Sequence, residues 1–156
     1  MKLYLVILLL SCFLNASSQK RQDDFKRMID SALYLDSYSL HEYIKKIGKE
    51  PPLEVRYLIN ESDVAYIYTS PFDDIKFKYI NVFSQKSEAV LKEGILAWKI
   101  FTSLQENRFI INIIEFTITY KNGIYNYGNG GGSDTIFEYS CDKNKWILIK
   151  SKWSGN

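Results

Sequence analysis

The chain has 156 residues, with 20 Lys and Arg against 18 Asp and Glu, a formal net charge of +2 with its single histidine neutral. This near balance, with no long run of one sign, argues against a dedicated nucleic-acid surface, which must neutralise several phosphates at once. One histidine and two cysteines leave too few nitrogen and sulfur ligands for the common zinc sites.

Residues 1–18, MKLYLVILLLSCFLNASS, place one positive charge at Lys2 before an apolar run and end in small and polar residues. That is the layout of a secretory signal peptide. An apolar run of about a dozen residues is short of the roughly 20 that span a bilayer, so export without a transmembrane span in the mature chain is expected. Two ways of processing the leader are open. Ala16 and Ser18 suit the −3 and −1 positions of an ordinary cleavage site, which would release a periplasmic or extracellular chain beginning at Gln19. Alternatively, Leu9-Leu10-Ser11-Cys12 is similar to a bacterial lipobox, with Cys12 as the lipidated residue. The first is preferred, because Phe13 and Leu14 prolong the apolar run past the cysteine.

Removing 1–18 leaves about 138 residues, enough for one domain, 19–156, with its own core. Cys141 is then the only cysteine, so no internal disulfide is available and stability must come from packing. In phase with Phe137 and Tyr139, Cys141 reads as a small buried apolar side chain.

In chain order, Phe25, Met28, Ile29, Ala32 and Leu33 repeat at helical spacing and predict a first amphipathic helix, with Asp23 and Asp24 at its N-terminal end. A break is expected near Asp36 to Ser39. A second helix follows, because Ser39 and Glu42 form an S-x-x-E capping box flanked by a Tyr38–Tyr43 staple. Leu40, Tyr43, Ile44 and Ile47 make its stripe, Gly48 suits its C-terminal cap, and Pro51-Pro52 end it.

From Leu53 onward Ile, Val, Tyr, Phe and Thr dominate, which favours strands. Leu53 to Ile59 reads as a strand or a helical linker, and Ser62 as the cap of a short helix over Asp63 to Tyr68. Phe77 to Phe83, Ile95 to Leu104 and Phe109 to Tyr120 read as strands, separated by turns that include Gln105 to Arg108 and Lys121-Asn122-Gly123. The last hairpin joins Thr135 to Cys141 with Trp146 to Trp153. Alternation puts Ile147, Ile149 and Trp153 on one face of its final arm, and Trp146, Leu148, Lys150 and Lys152 on the other. The predicted fold is α+β, with two N-terminal amphipathic helices packed on a mainly antiparallel, curved β-sheet meander.

That order of elements, closing on a strand with Lys145-Trp146-Ile147-Leu148 near its start, resembles the nuclear transport factor 2-like (cystatin-like α+β) superfamily. The resemblance spans roughly Asp23 to Trp153. It implies a curved sheet enclosing a cone-shaped pocket. Because that superfamily hosts both enzymes and inert binding modules, it assigns no chemistry here.

No catalytic constellation is visible. His41 lies off the Leu40-Ile44-Ile47 stripe and reads as a surface histidine. No G-x-S-x-G motif surrounds a serine. The run Gly128-Asn129-Gly130-Gly131-Gly132-Ser133-Asp134 lacks the Gly-Lys-Ser/Thr of a phosphate loop, and a single near-copy of a calcium repeat has no neighbour to share ligands. It reads as a mobile connection between strands. No cofactor or metal is expected. Glu115 is an acid inside a long, otherwise apolar or hydroxylic strand, on a face with Thr117 and Thr119. That face reads as the wet side of the sheet, although burial would equip Glu115 as an acid or base.

Twelve tyrosines are the remaining unusual feature. The leading functional expectation is a non-catalytic exported domain that binds a protein or a small apolar molecule through its aromatic sheet and the 122–134 connection, with Tyr120, Tyr125, Tyr127, Gly130 and Asp134 as candidate binding residues. The alternatives are a carboxylate-dependent hydrolase or isomerase using Glu115 in a sheet pocket, and a secreted inhibitor or immunity-type protein with the glycine run as its wedge.

Overall fold

A computed structural model describes the backbone of residues 2–46, 54–59 and 67–155, and the side chains of 23–43, 45–46, 55–59 and 67–153. The expectations for Ile44, Ile47, Gly48, Pro51-Pro52 and the Ser62 cap lie outside these described residues.

Strands β1 (Glu54–Ile59), β2 (Ile75–Ile80), β3 (Ile95–Gln105), β4 (Arg108–Lys121), β5 (Ile124–Ser140) and β6 (Lys145–Gly155) form one sheet in the order β2-β1-β3-β4-β5-β6. A helix α1 (Lys2–Lys46) precedes them, and a short α2 (Glu88–Glu93) lies between β2 and β3. The protein is therefore α+β, with a curved mixed sheet in the form of a half-barrel. The antiparallel meander holds from β3 to β6, whereas β1 pairs parallel with both β2 and β3. Local alternation carries no information on parallel or antiparallel pairing, so this half of the sheet was not readable as mixed.

The expected pair of N-terminal helices is one continuous helix. Its hydroxyls show why the break at Asp36 to Ser39 does not form. Ser37 Oγ donates to the Leu33 carbonyl at 2.7 Å and Ser39 Oγ to the Leu35 carbonyl at 3.0 Å, so each serine satisfies itself within the helix instead of capping a new one.

The sheet buries its two faces against different helices. Toward α1, Met28, Ala32 and Leu33 pack on Leu58, Trp98, Phe109, Ile111 and Ile113. Toward α2, Leu91 packs with Ile80, Ile95, Ala97 and Ile118. Each fully buried aliphatic side chain contributes about 2 kcal/mol by leaving water. Strand β4 serves both cores. Its first half buries Phe109, Ile111 and Ile113 toward α1, and its second half buries Ile118 on the opposite face.

Two β-bulges set what faces α1. One shifts the β4–β5 register between Glu115 and Phe116, with Glu115 opposite Gly131 and Phe116 opposite Asn129. The other shifts β5–β6 between Ile136 and Phe137, opposite Lys150 and Leu148. An extra residue in one strand inverts the in-and-out phase beyond it. Trp146 and Trp153, expected on opposite faces, consequently both point toward α1: Trp146 meets the Phe25 ring at 6.4 Å, and Trp153 sits opposite buried Ser133.

Two further expectations are corrected. Glycines 128–132 do not form a connection between strands but lie inside β5, hydrogen-bonded to β4 and in part to β6. Gly132 is required there, since a Cβ would stand 2.3 Å from the Ile113 carbonyl oxygen. Cys141 is exposed in the β5–β6 turn, because β5 ends at Ser140 before the cysteine can take its place on a face. The 121–123 turn does form, with positive φ at Asn122 (52°) and Gly123 (78°), as a two-residue type I′ hairpin demands.

Candidate functional site

The α1 stripe passes from Phe25 through Met28, Ile29, Ala32, Leu33 and Leu40, and Asp36 falls within it at the same three- and four-residue spacing. Asp36 is therefore carried into the interior, where it is 5 % exposed. Among the described residues its hydrogen-bond partner is Ser133 on β5, whose hydroxyl donates to Oδ2 at 2.8 Å. No Lys, Arg or His side chain among the described residues pairs with it. Burial pushes the Asp36 carboxyl from its ordinary 3.8 up to about 7. The Ser133 hydroxyl opposes this shift, and the negative charge of Glu115 adds to it.

Glu115 was expected on the solvated face of the sheet, but α1 covers that face. Its Oε2 lies 2.7 Å from Nη1 of Arg56, a buried residue of β1, and accepts the Trp98 indole N–H at 3.0 Å. Register explains the meeting: Trp98 on β3 is directly opposite Glu115 on β4, and Leu58 opposite Trp98 puts Arg56, two residues away on β1, on the same face. Gly130, the extra residue at the bulge, leaves room for the carboxylate. A Cβ there would stand 3.0 Å from Glu115 Oε1.

These groups surround a cavity of about 310 Å³ between α1 and the face of the sheet that α1 covers. Asp36, Arg56 and Glu115 are its charged residues. Trp98, Trp153, Tyr43 and Leu40 give it apolar walls, and Trp153, 55 % exposed, stands where it meets solvent. This is the size range and character of a small-ligand pocket, largely apolar with a few convergent polar groups. A larger groove of about 600 Å³ runs elsewhere along α1, past Tyr34, Ile67 and Leu148. It is open to solvent, and its charged residues Lys26 and Asp30 form a surface ion pair at 2.7 Å.

Of the five candidate binding residues, only Gly130 lies at the cavity. Tyr120 and Tyr125 meet at 4.6 Å with their rings tilted, against the α2-side core, and Tyr127 meets Phe116 edge-on at 5.8 Å. Asp134 is exposed and accepts a hydrogen bond from the Asn112 side chain, one position from Ser133 and hence on the opposite face. Sequence reasoning missed Asp36, Arg56, Trp98 and Ser133. The available signal was the α1 stripe itself, which continues through Asp36 to Leu40 and Tyr43 if no break is placed.

His41 is also corrected: it is half-buried, not a plain surface histidine. Its Nδ1 lies 2.7 Å from Asp74 Oδ2 and its ring stacks on Phe72 at 4.8 Å, tying α1 to the segment before β2.

Among the described residues no group of three or more His, Cys, Asp or Glu side chains gathers to hold a metal ion, and no helix is long and apolar enough to cross a membrane. Compared with protein-family models, curated proteins and solved structures, the chain matches none.

Proposed function

We propose that the chain is an exported, non-catalytic binding domain that holds a small ligand in the cavity between α1 and the face of the sheet that α1 covers. The observation that carries this reading is the convergence of Asp36, Arg56 and Glu115 inside an aromatic-walled space of about 310 Å³. Polar and charged groups are costly to bury, and a core built for stability alone is better filled with apolar side chains. The leader at residues 1–18 supports export, with release before Gln19 preferred over lipidation of Cys12. The resemblance to the nuclear transport factor 2-like superfamily is consistent with a ligand held inside a curved sheet, and that assignment is part of the proposal.

The test is a fragment screen by saturation-transfer NMR on the wild type and on Gly130→Leu, whose side chain enters the cavity beside Glu115. Fragments that bind the wild type and are lost on Gly130→Leu are the expected result. Binding that Gly130→Leu leaves unchanged would refute the assignment. Mass measurement of the processed protein separates the two leader readings.

A second reading has one observation in its favour. Asp36, with its carboxyl near pKa 7 beside a second carboxylate, is poised to give and take a proton near neutrality. In a carboxylate-dependent hydrolase or isomerase, Asp36 would then move the proton and Glu115, held by Arg56 and Trp98, would orient. Turnover abolished by Asp36→Asn with ligand binding intact would favour this reading over simple binding.

A further inference from the structure

We propose that the cavity takes an organic cation, a small ammonium compound with an apolar body, whose charge sits between the Asp36 and Glu115 carboxylates and whose body lies against Trp98, Trp153 and Tyr43. This inference rests on the cavity being a ligand site.

The argument is one of charge and surface type. Two carboxylates and one guanidinium border the space. The guanidinium of Arg56 is engaged by Glu115 at 2.7 Å, whereas the hydrogen bond to Asp36 comes from a neutral hydroxyl at 2.8 Å. An anionic ligand would meet Glu115, and Asp36 once its proton is lost, at close range in a partly desolvated space, where like charges repel more strongly than in water. An ammonium group would supply the positive partner that Asp36 lacks among the described residues. The walls agree with this polarity, since indole and phenol rings present negative faces that attract cations. Leu40 and the ring faces then accept the apolar body.

Binding of a cation is coupled to the proton on Asp36. The charged and titratable groups facing Asp36 are Glu115 on β4, Arg56 on β1, Tyr43 on α1 and Tyr68 before β2, the last with its phenol pushed above its ordinary value first by burial. Near pH 6 the free protein holds the proton on Asp36, and an incoming ammonium group favours the carboxylate. Complex formation should therefore release a proton at pH 6 and release little at pH 8.

The experiment is isothermal titration of the processed protein with three probes of similar body: phenethylammonium, phenethyl alcohol and 3-phenylpropionate. Each is run at pH 6 in two buffers of different ionisation enthalpy, and again at pH 8. The cation is expected to bind about tenfold or more tightly than the alcohol, and the anion more weakly than either. Asp36→Asn should remove the advantage of the cation over the alcohol and the proton release. Tighter binding of the alcohol or the anion, abolished by Gly130→Leu, would overturn the cation assignment and leave the cavity a ligand site. Equal affinity of the cation for wild type and Asp36→Asn would also overturn it. If none of the three binds, the cation assignment fails, and the fragment screen on Gly130→Leu decides the ligand-site reading separately.

Discussion

Replacing Asp36 by Asn should make the protein's stability less dependent on pH, because the asparagine keeps an acceptor for Ser133 and removes a buried acid. Asp36 has its folded-state pKa raised from 3.8 to about 7 by burial, so between those values the folded state holds a proton that the unfolded chain has lost. Stability then falls as pH rises. The favourable contribution is complete below about pH 4 and is lost as pH climbs through the folded value near 7. Three pKa units at about 1.4 kcal/mol each give a loss of about 4 kcal/mol. Relative to their difference at pH 4, Asp36→Asn should therefore gain about 2 kcal/mol over the wild type by pH 5.5, and about 4 kcal/mol by pH 8. His41 and the exposed carboxylates are common to both proteins and cancel in the comparison. Urea unfolding at pH 4, 5.5, 7 and 8, followed by circular dichroism, measures it. A difference that stays constant across this range would mean that Asp36 is solvated or paired in the folded protein, and the description of the site would be wrong.

Gly132→Ala should cost about 2 kcal/mol or more, because its methyl would stand 2.3 Å from the Ile113 carbonyl oxygen. Gly123→Ala, which meets open space at φ +78°, should cost only about 1 kcal/mol, and thermal melting of the two variants compares them. Glu115→Gln withdraws the carboxylate that faces buried Arg56 and should destabilise by about 2 kcal/mol, after allowance for the partial exposure of Glu115, as read from denaturant midpoints. Exposed Cys141 should react stoichiometrically with a thiol reagent in the native protein, and Cys141→Ser should change stability by less than about 0.5 kcal/mol.

Part of the sheet was legible because strand β4 alternates over many residues, and the turns at Glu106 and Asn122 carry polar or glycine signals with positive φ. The site was less legible, for three physical reasons. Asp36, Ser37 and Ser39 resemble a helix boundary in composition, yet the serines bond backward to their own helix and the aspartate bonds across to Ser133. A bulge is invisible to strict alternation, so Trp153 was assigned to the wrong side and Gly130 was read as part of a connection when it marks an in-strand irregularity. The parallel pairing of β1 is a long-range choice, and only that pairing brings Arg56 to Glu115. Glu115 itself could be singled out as an acid among apolar neighbours. The helix that covers its face could not, because a strand carries no mark of which side its partner will lie on.

Helix α1 is fastened to the rest of the fold at two points. Phe25 wedges against Phe109 at 4.9 Å, and His41 is clasped by Asp74 and Phe72. A roof pinned at two points does not lift easily, so a ligand of the kind proposed would pay little to organise the chamber beneath it. The proposed ligand would then enter by the flank where β6 ends the sheet and half-exposed Trp153 stands.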